Sequence, residues 1–138
     1  MQKRSRSQLR ALMSVAALAL SLSSWASARA AELLMFETRG CPWCAAWHRE
    51  VGSGYARSTE GQRAPLRRLD LADTEKAGVT FATPITASPT FVLVDKGREI
   101  GRITGYPGAD FFWGLLAPLV AKLDPQAGLS RQEHKTAL

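Results

Sequence analysis

Two cysteines separated by two residues constrain this chain of 138 residues more than any other feature of its sequence. Cys41 and Cys44 are its only cysteines. They follow a short, mostly apolar run at residues 32–37, which is typical of a strand buried in a sheet. Pro42 lies where a helix can begin, because the first helical turn does not use the missing N–H of proline. The sequence therefore predicts a strand that leads directly into a helix, with the cysteine pair at the start of that helix.

The close spacing of the cysteines favours a reactive pair over a structural disulfide. A bridge between residues this close closes a short loop and restricts the unfolded chain little. The thiolate is the form that attacks a disulfide, and the free N–H groups and partial positive charge at a helix start favour it. We predict that Cys41 is the catalytic nucleophile and that Cys44, one turn further on, is the catalytic thiol that resolves the mixed disulfide.

Zinc binding is the competing interpretation of a Cys-x-x-Cys pair. A structural zinc site needs four ligands at recognisable spacings, but the chain has no second cysteine pair and only two histidines, His48 and His134. We therefore predict no metal, and no cofactor, because no segment resembles a nucleotide-binding loop. His48 is expected to face solvent on the helix, with a contact to the resolving thiol as the alternative.

Residues 1–30 have the order of a secretory signal peptide. Basic residues come first, an apolar run follows, and small residues lead to Ala30. Cleavage is expected after Ala30, with Ala28 as the alternative site. An uncleaved membrane anchor is the second interpretation, which the short, serine-containing run disfavours. The mature protein then has one domain at residues 31–123 and a flexible polar tail at residues 124–138, and its expected location is the periplasm.

The basic character of the chain belongs mostly to this N-terminal segment. The whole chain carries a formal net charge of +6. Removal of residues 1–30 leaves 13 basic and 12 acidic residues, which is a net charge of +1. A nearly neutral domain gives no electrostatic reason to expect a nucleic-acid partner.

Hydrophobic patterns in the mature chain predict the order βαβαββα. This order implies an α/β fold with a central mixed sheet flanked by helices. The strongest strand pattern lies at residues 90–95. A Lys96-Gly97 turn connects it to the strand at residues 98–105, and the two are expected to form a hairpin. Trp47, Phe112 and Trp113 are expected in the core. We expect strands at residues 32–37, 66–71, 90–95 and 98–105, and helices at residues 42–52, 73–79 and 109–123.

The motifs resemble those of the thioredoxin superfamily over residues 32–123. The resemblance rests on Cys-Pro-Trp-Cys at residues 41–44, on the Ser-Pro-Thr that opens the strand at residue 90, and on Gly105-Tyr106 before an aromatic helix.

This resemblance implies a thioredoxin-like fold and a substrate-binding surface beside the cysteines. It implies a cis peptide bond before Pro89, packing of Pro89 against the cysteine pair, and an extended substrate bound by the backbone of Ser88. Pro42 and Trp43 are the other expected substrate-binding residues.

Two longer stretches, residues 41–50 and 105–116, resemble SoxS-type periplasmic thioredoxins, which are encoded with bacterial sulfur-oxidation genes. That narrower resemblance implies a reductase of periplasmic protein disulfides, and we expect the protein to be a monomer. The implied substrate is the cysteine of a sulfur-carrier protein, and the implied electron donor is a membrane thiol transporter.

Two alternatives stay open at this point. A disulfide oxidase or isomerase would use the same residues, and the reduction potential distinguishes it from a reductase. A non-catalytic binding or regulatory module would use the groove beside Trp43 and Pro89, and it would tolerate the loss of both thiols.

The sequence departs from the superfamily pattern six residues before the nucleophile. Many thioredoxins have a buried aspartate there that accepts the proton of the resolving thiol, whereas this chain has Met35. Glu37 is expected to face the other side of the strand. Water, Glu37 and His48 are therefore the candidates for proton handling at Cys44.

Overall fold

A computed structural model describes residues 30–124. The predicted signal peptide lies outside this range except for Ala30, and so does the predicted tail after Asp124. Within the described part of the chain, no helix is long and apolar enough to cross a membrane. The strands are β1 (Glu32–Glu37), β2 (Leu66–Asp70), β3 (Thr90–Asp95) and β4 (Arg98–Thr104). The α-helices are α1 (Pro42–Trp47), α2 (Ser53–Tyr55), α3 (Thr59–Arg63) and α4 (Ala109–Ala121). A π-helical turn, His48–Gly52, joins α1 to α2, and a 3₁₀ helix, Leu71–Ala77, follows β2.

The four strands form one mixed sheet in the order β2-β1-β3-β4. β1 runs parallel to β2 and antiparallel to β3, and β3 and β4 form the predicted hairpin. The parallel pair requires a crossover, which α1, the π-helical turn, α2 and α3 supply. The mixed sheet, with β1 in its interior and the helix after it, is confirmed.

Both faces of the sheet are covered, and strand β1 contributes to both. Successive side chains of a strand point to opposite faces. One face carries the larger cluster around Trp47 and Phe112, which are fully buried as expected, and the half-buried Trp113 stacks on Tyr55. The larger cluster includes Leu33, Met35, Cys44, Trp47, Tyr55, Phe91, Leu93, Phe112 and Leu116. The smaller cluster, on the other face, consists of Leu34, Phe36, Ala77, Val92 and Val94.

Two helical segments differ from the sequence predictions. The helix that begins at Pro42 keeps α geometry only to Trp47 before it changes to the π-helical turn. The segment expected as a helix at residues 73–79 is a 3₁₀ helix that begins earlier, because Asp70 caps it by accepting a hydrogen bond from the amide of Ala72 at 2.9 Å. At the end of the described chain, Asp124 forms an ion pair with Arg63.

Candidate active site

The cysteine pair lies where β1 turns into α1. Gly40 has a φ of +75°, which glycine adopts without strain, so the turn can reverse sharply before Cys41. Cys41 is the N-cap of α1, and its Sγ accepts a hydrogen bond from the amide of Cys44 at 3.1 Å. An amide donor in this position also stabilises negative charge on Sγ, as a nucleophilic thiolate requires.

The two cysteines are joined by a disulfide bond and differ in accessibility. Cys41 is partly exposed, whereas Cys44 is 3% exposed and belongs to the larger core cluster. A nucleophile must reach a partner in solution, and a resolving thiol needs only to reach the nucleophile. The predicted roles of Cys41 and Cys44 require this difference.

The loop before β3 brings Ser88 to the buried side of the cysteine pair. Ser88 Oγ lies 3.2 Å from Cys44 Sγ and accepts a hydrogen bond from the amide of Thr38 at 2.9 Å. The Ser88–Pro89 peptide bond is cis, as the resemblance implies. Pro89 is buried, and its carbonyl accepts a hydrogen bond from the amide of Gly105 at 2.7 Å.

An exposed surface with free backbone groups surrounds the disulfide. Pro42 is exposed, and Trp43, an aromatic residue that would ordinarily be buried, is 62% exposed. Within residues 30–124, the backbone N–H and C=O of Ser88 have no hydrogen-bond partner. Unpaired backbone groups of this kind can pair with an extended peptide.

Glu37 and His48 depart from the expectations drawn from the sequence. His48 does not simply face solvent, because its Nε2 lies 2.8 Å from Oε2 of Glu37. Glu37 does not face the far side of the strand either, since it lies two residues after Met35 and therefore shares its face. Arg68 of β2 donates a hydrogen bond to the other carboxylate oxygen of Glu37. The two-residue period of β1 was the signal that could have identified this pair.

These contacts determine the ionisation of Glu37. Burial raises its pKa, but hydrogen bonds from His48 and Arg68 together bring the pKa below its ordinary value. Both carboxylate oxygens are engaged by donors, so Glu37 is held as an anion and neither oxygen contacts Cys44. Met35, at the position of the superfamily aspartate, is fully buried and carries no ionisable group.

An ion pair on β4 fixes the loop that carries Ser88. The guanidinium of Arg102 makes two hydrogen bonds to Glu99, each 2.6 Å long, and donates to the carbonyls of Thr83 and Pro84. Glu99 also accepts a hydrogen bond from the amide of Ala82 at 2.9 Å. The loop between the 3₁₀ helix and β3 is therefore tied to the sheet a few residues before Ser88.

The residues around the disulfide do not form a metal site. Among residues 30–124, no three histidine, cysteine, aspartate or glutamate side chains lie close enough together to hold a metal ion.

Comparisons with known proteins agree with this geometry. The family model described as a thioredoxin-like domain matches residues 21–119. The crystal structure of the reduced periplasmic thioredoxin SoxS from Paracoccus pantotrophus is 45% identical in sequence and has a TM-score of 0.65. That alignment covers 68% of this chain and 99% of SoxS. A comparison with curated protein sequences found no match.

A more distant structure supports the fold alone. Trxlp from Edwardsiella tarda EIB202 is 23% identical, with a TM-score of 0.51 over 73% of this chain and 91% of Trxlp. Three findings lead to one assignment. They are the mixed sheet, the cysteine pair at the start of α1, and the similarity to SoxS over nearly the whole length of SoxS. The chain belongs to the thioredoxin-like family, and it is a thiol-disulfide oxidoreductase.

Proposed function

We propose that this protein is a periplasmic reductase of protein disulfides that works through the Cys41–Cys44 dithiol. The observation that carries the proposal is the unequal accessibility of the two cysteines. Cys41 is partly exposed and its Sγ accepts a hydrogen bond from the amide of Cys44, whereas the Cys44 side chain is buried. Such a pair releases a substrate quickly, because the resolving thiol is always within reach of the nucleophile.

The reaction follows from this arrangement. The Cys41 thiolate attacks one sulfur of a substrate disulfide, which forms a mixed disulfide and releases the other substrate sulfur as a thiolate. Cys44 then attacks Cys41 Sγ, so that the Cys41–Cys44 bond forms as the bond to the substrate breaks. The substrate leaves with two reduced sulfurs, and two electrons from the dithiol now belong to it. A thiol donor must reduce the Cys41–Cys44 disulfide before the next cycle.

The exposed surface around the disulfide supports a polypeptide substrate. In this proposal, an extended substrate segment pairs with the free backbone groups of Ser88 and lies against the exposed Pro42 and Trp43, with the buried Pro89 packed under the bound segment. Pairing with the backbone of a substrate does not select its side chains, so affinity for one partner must come from other contacts.

The similarity to SoxS supports the proposed location. SoxS is described as a periplasmic thioredoxin, and the N-terminal pattern of this chain predicts export. We propose the periplasm as the site of action, a sulfur-carrier protein as one substrate, a membrane thiol protein as the electron donor, and a monomer as the working form.

Cysteine variants test the proposed catalytic cycle. Cys41→Ser should abolish reduction of a protein disulfide, and Cys44→Ser should accumulate mixed disulfides, because the second step lacks its attacking thiol. Non-reducing electrophoresis detects these adducts, and the double variant is the matched control. Normal turnover by Cys41→Ser would contradict the proposal and would favour a non-catalytic binding module.

A further inference from the structure

We propose that the Ser88 hydroxyl is a catalytic group, which donates a hydrogen bond to Cys44 Sγ and stabilises the resolving thiolate as it attacks the mixed disulfide. The inference rests on the proposed dithiol cycle and adds a side-chain role to a residue whose backbone faces the substrate. Its starting point is the distance of 3.2 Å between Ser88 Oγ and Cys44 Sγ.

The disulfide sets the direction of this hydrogen bond, and a second contact orients the hydroxyl oxygen. The amide of Thr38 donates to Ser88 Oγ at 2.9 Å, and an amide N–H can only donate. This contact occupies one lone pair of Oγ and orients the oxygen. Cys44 Sγ carries no hydrogen in the disulfide, so in this contact the Ser88 hydroxyl is the donor and the sulfur is the acceptor.

A hydrogen bond of this kind changes strength during the reaction. A sulfur in a disulfide or thiol is a weak acceptor, whereas a thiolate carries a full charge. The donor therefore stabilises the state of Cys44 that attacks more than the states before and after it. A fixed donor aimed at developing charge is the arrangement that lowers a reaction barrier.

Cys44 needs such help because its surroundings disfavour a charge. It is 3% exposed, and burial penalises the ionised form of a thiol. Met35 offers no carboxylate, and the carboxylate of Glu37 is engaged by His48 and Arg68. Among residues 30–124, the Ser88 hydroxyl is the one polar side-chain group in contact with Cys44 Sγ.

The proposed step is balanced with water as the proton carrier, and it needs no oxidant. Cys44 gives its thiol proton to water and attacks Cys41 Sγ, the bond between Cys41 and the substrate breaks, and the departing substrate thiolate takes up one proton from water. Ser88 keeps its own proton throughout, since a serine hydroxyl is far too weak an acid to give it up. Its contribution is the hydrogen bond.

The test uses the purified, reduced protein and the small aromatic disulfide 5,5′-dithiobis(2-nitrobenzoate). Attack by Cys41 releases one thionitrobenzoate, and attack by Cys44 on the mixed disulfide releases a second, so that two absorbance phases report the two steps separately. For Ser88→Ala we expect the pH midpoint of the second phase to rise by about one unit. Its rate at neutral pH should fall by about threefold, because the thiolate becomes rarer but also more nucleophilic. The first phase should change by less than about twofold, because Ser88 does not contact Cys41.

Two further variants separate the hydroxyl from side-chain shape. Threonine and valine have nearly the same shape, so Ser88→Thr should keep the second phase fast, and Ser88→Val should slow it as alanine does. This comparison stands even if Ser88→Ala does not fold. Thr86→Ala, which removes an exposed hydroxyl from the same loop, is the matched control and should leave both phases unchanged.

The outcomes are distinct from a failure of the proposed function. Equal second phases and equal pH midpoints for Ser88→Thr and Ser88→Val would overturn the role of the hydroxyl. A wild-type protein that releases no second thionitrobenzoate would instead contradict the dithiol cycle. Because the reagent is not a natural substrate, the result does not depend on which protein disulfide is reduced.

Discussion

Nε2 of His48 lies 2.8 Å from Oε2 of Glu37, and this contact joins the turn that follows α1 to the end of β1. Arg68 binds the second oxygen of the same carboxylate from the neighbouring strand. The Glu37 side chain therefore connects β1, β2 and the π-helical turn. The turn that delivers Cys41 begins directly after Glu37, so we infer that this carboxylate holds the start of the active-site turn in place.

Substitution of Glu37 should change how stability depends on pH. Because its pKa is lowered in the folded protein, the ionised carboxylate stabilises the fold above the ordinary carboxyl pKa. This contribution is lost as the pH falls through the lowered value. In Glu37→Gln, the fall in the free energy of unfolding between neutral pH and about pH 3 should be smaller by about 1 kcal/mol.

Urea unfolding at a series of pH values measures this effect. Glu75→Gln is the matched control, because Glu75 is exposed on the 3₁₀ helix. If Glu37→Gln loses stability on acidification as steeply as the wild type does, the Glu37 contacts do not stabilise the anion.

The Arg102–Glu99 ion pair should contribute measurably to stability. Arg102→Ala removes the hydrogen bonds to Glu99 and to two loop carbonyls, and it leaves a largely buried carboxylate without its cation. We expect a loss of about 2 kcal/mol in the free energy of unfolding. Arg98→Ala, on the same strand but exposed, should cost less than about 0.5 kcal/mol. Denaturant midpoints of the two variants that coincide would show that the loop is not held by this pair.

Gly61, in α3, should tolerate substitution by alanine less well than Gly54, in α2. A Cβ at this position would lie 1.9 Å from the carbonyl oxygen of Tyr55, so the backbone would have to move. Gly61→Ala should lower the free energy of unfolding by about 2 kcal/mol or more. Gly54→Ala, with no atom within 4 Å of the added carbon, should be neutral or stabilising by up to about 1 kcal/mol. Thermal unfolding ranks the variants, and the reverse order would contradict the close packing at Gly61.

The elements that were predicted correctly have strong local patterns. The apolar runs of β1 and β3, the Lys96-Gly97 turn and the position of Pro42 each depend on neighbouring residues alone, and each is confirmed. The 3₁₀ geometry after β2 was not predicted, because its helical pattern does not distinguish 3₁₀ from α hydrogen bonding. The side chain of Asp70 determines where this segment starts.

The active site was predictable only in part. The Cys-x-x-Cys motif indicates thiol-disulfide chemistry without help from the structure. The contact of Ser88 with Cys44 joins residues 44 positions apart, and no periodicity in the sequence reveals it. The resemblance to thioredoxins pointed to the backbone of Ser88 and not to its hydroxyl. The Glu37–His48 pair was missed because its two members lie on different elements, although the two-residue period of β1 places Glu37 on the correct face.

The reduction potential of the Cys41–Cys44 pair tests the central claim most directly. The purified protein is equilibrated with glutathione buffers of known potential, and its free thiols are counted at each potential. We expect a value near that of thioredoxin, about −270 mV, which lets the dithiol reduce protein disulfides when a membrane donor supplies electrons. A value of about −120 mV, as in a strong periplasmic oxidant, would contradict the assignment as a reductase and would make the protein a disulfide oxidase.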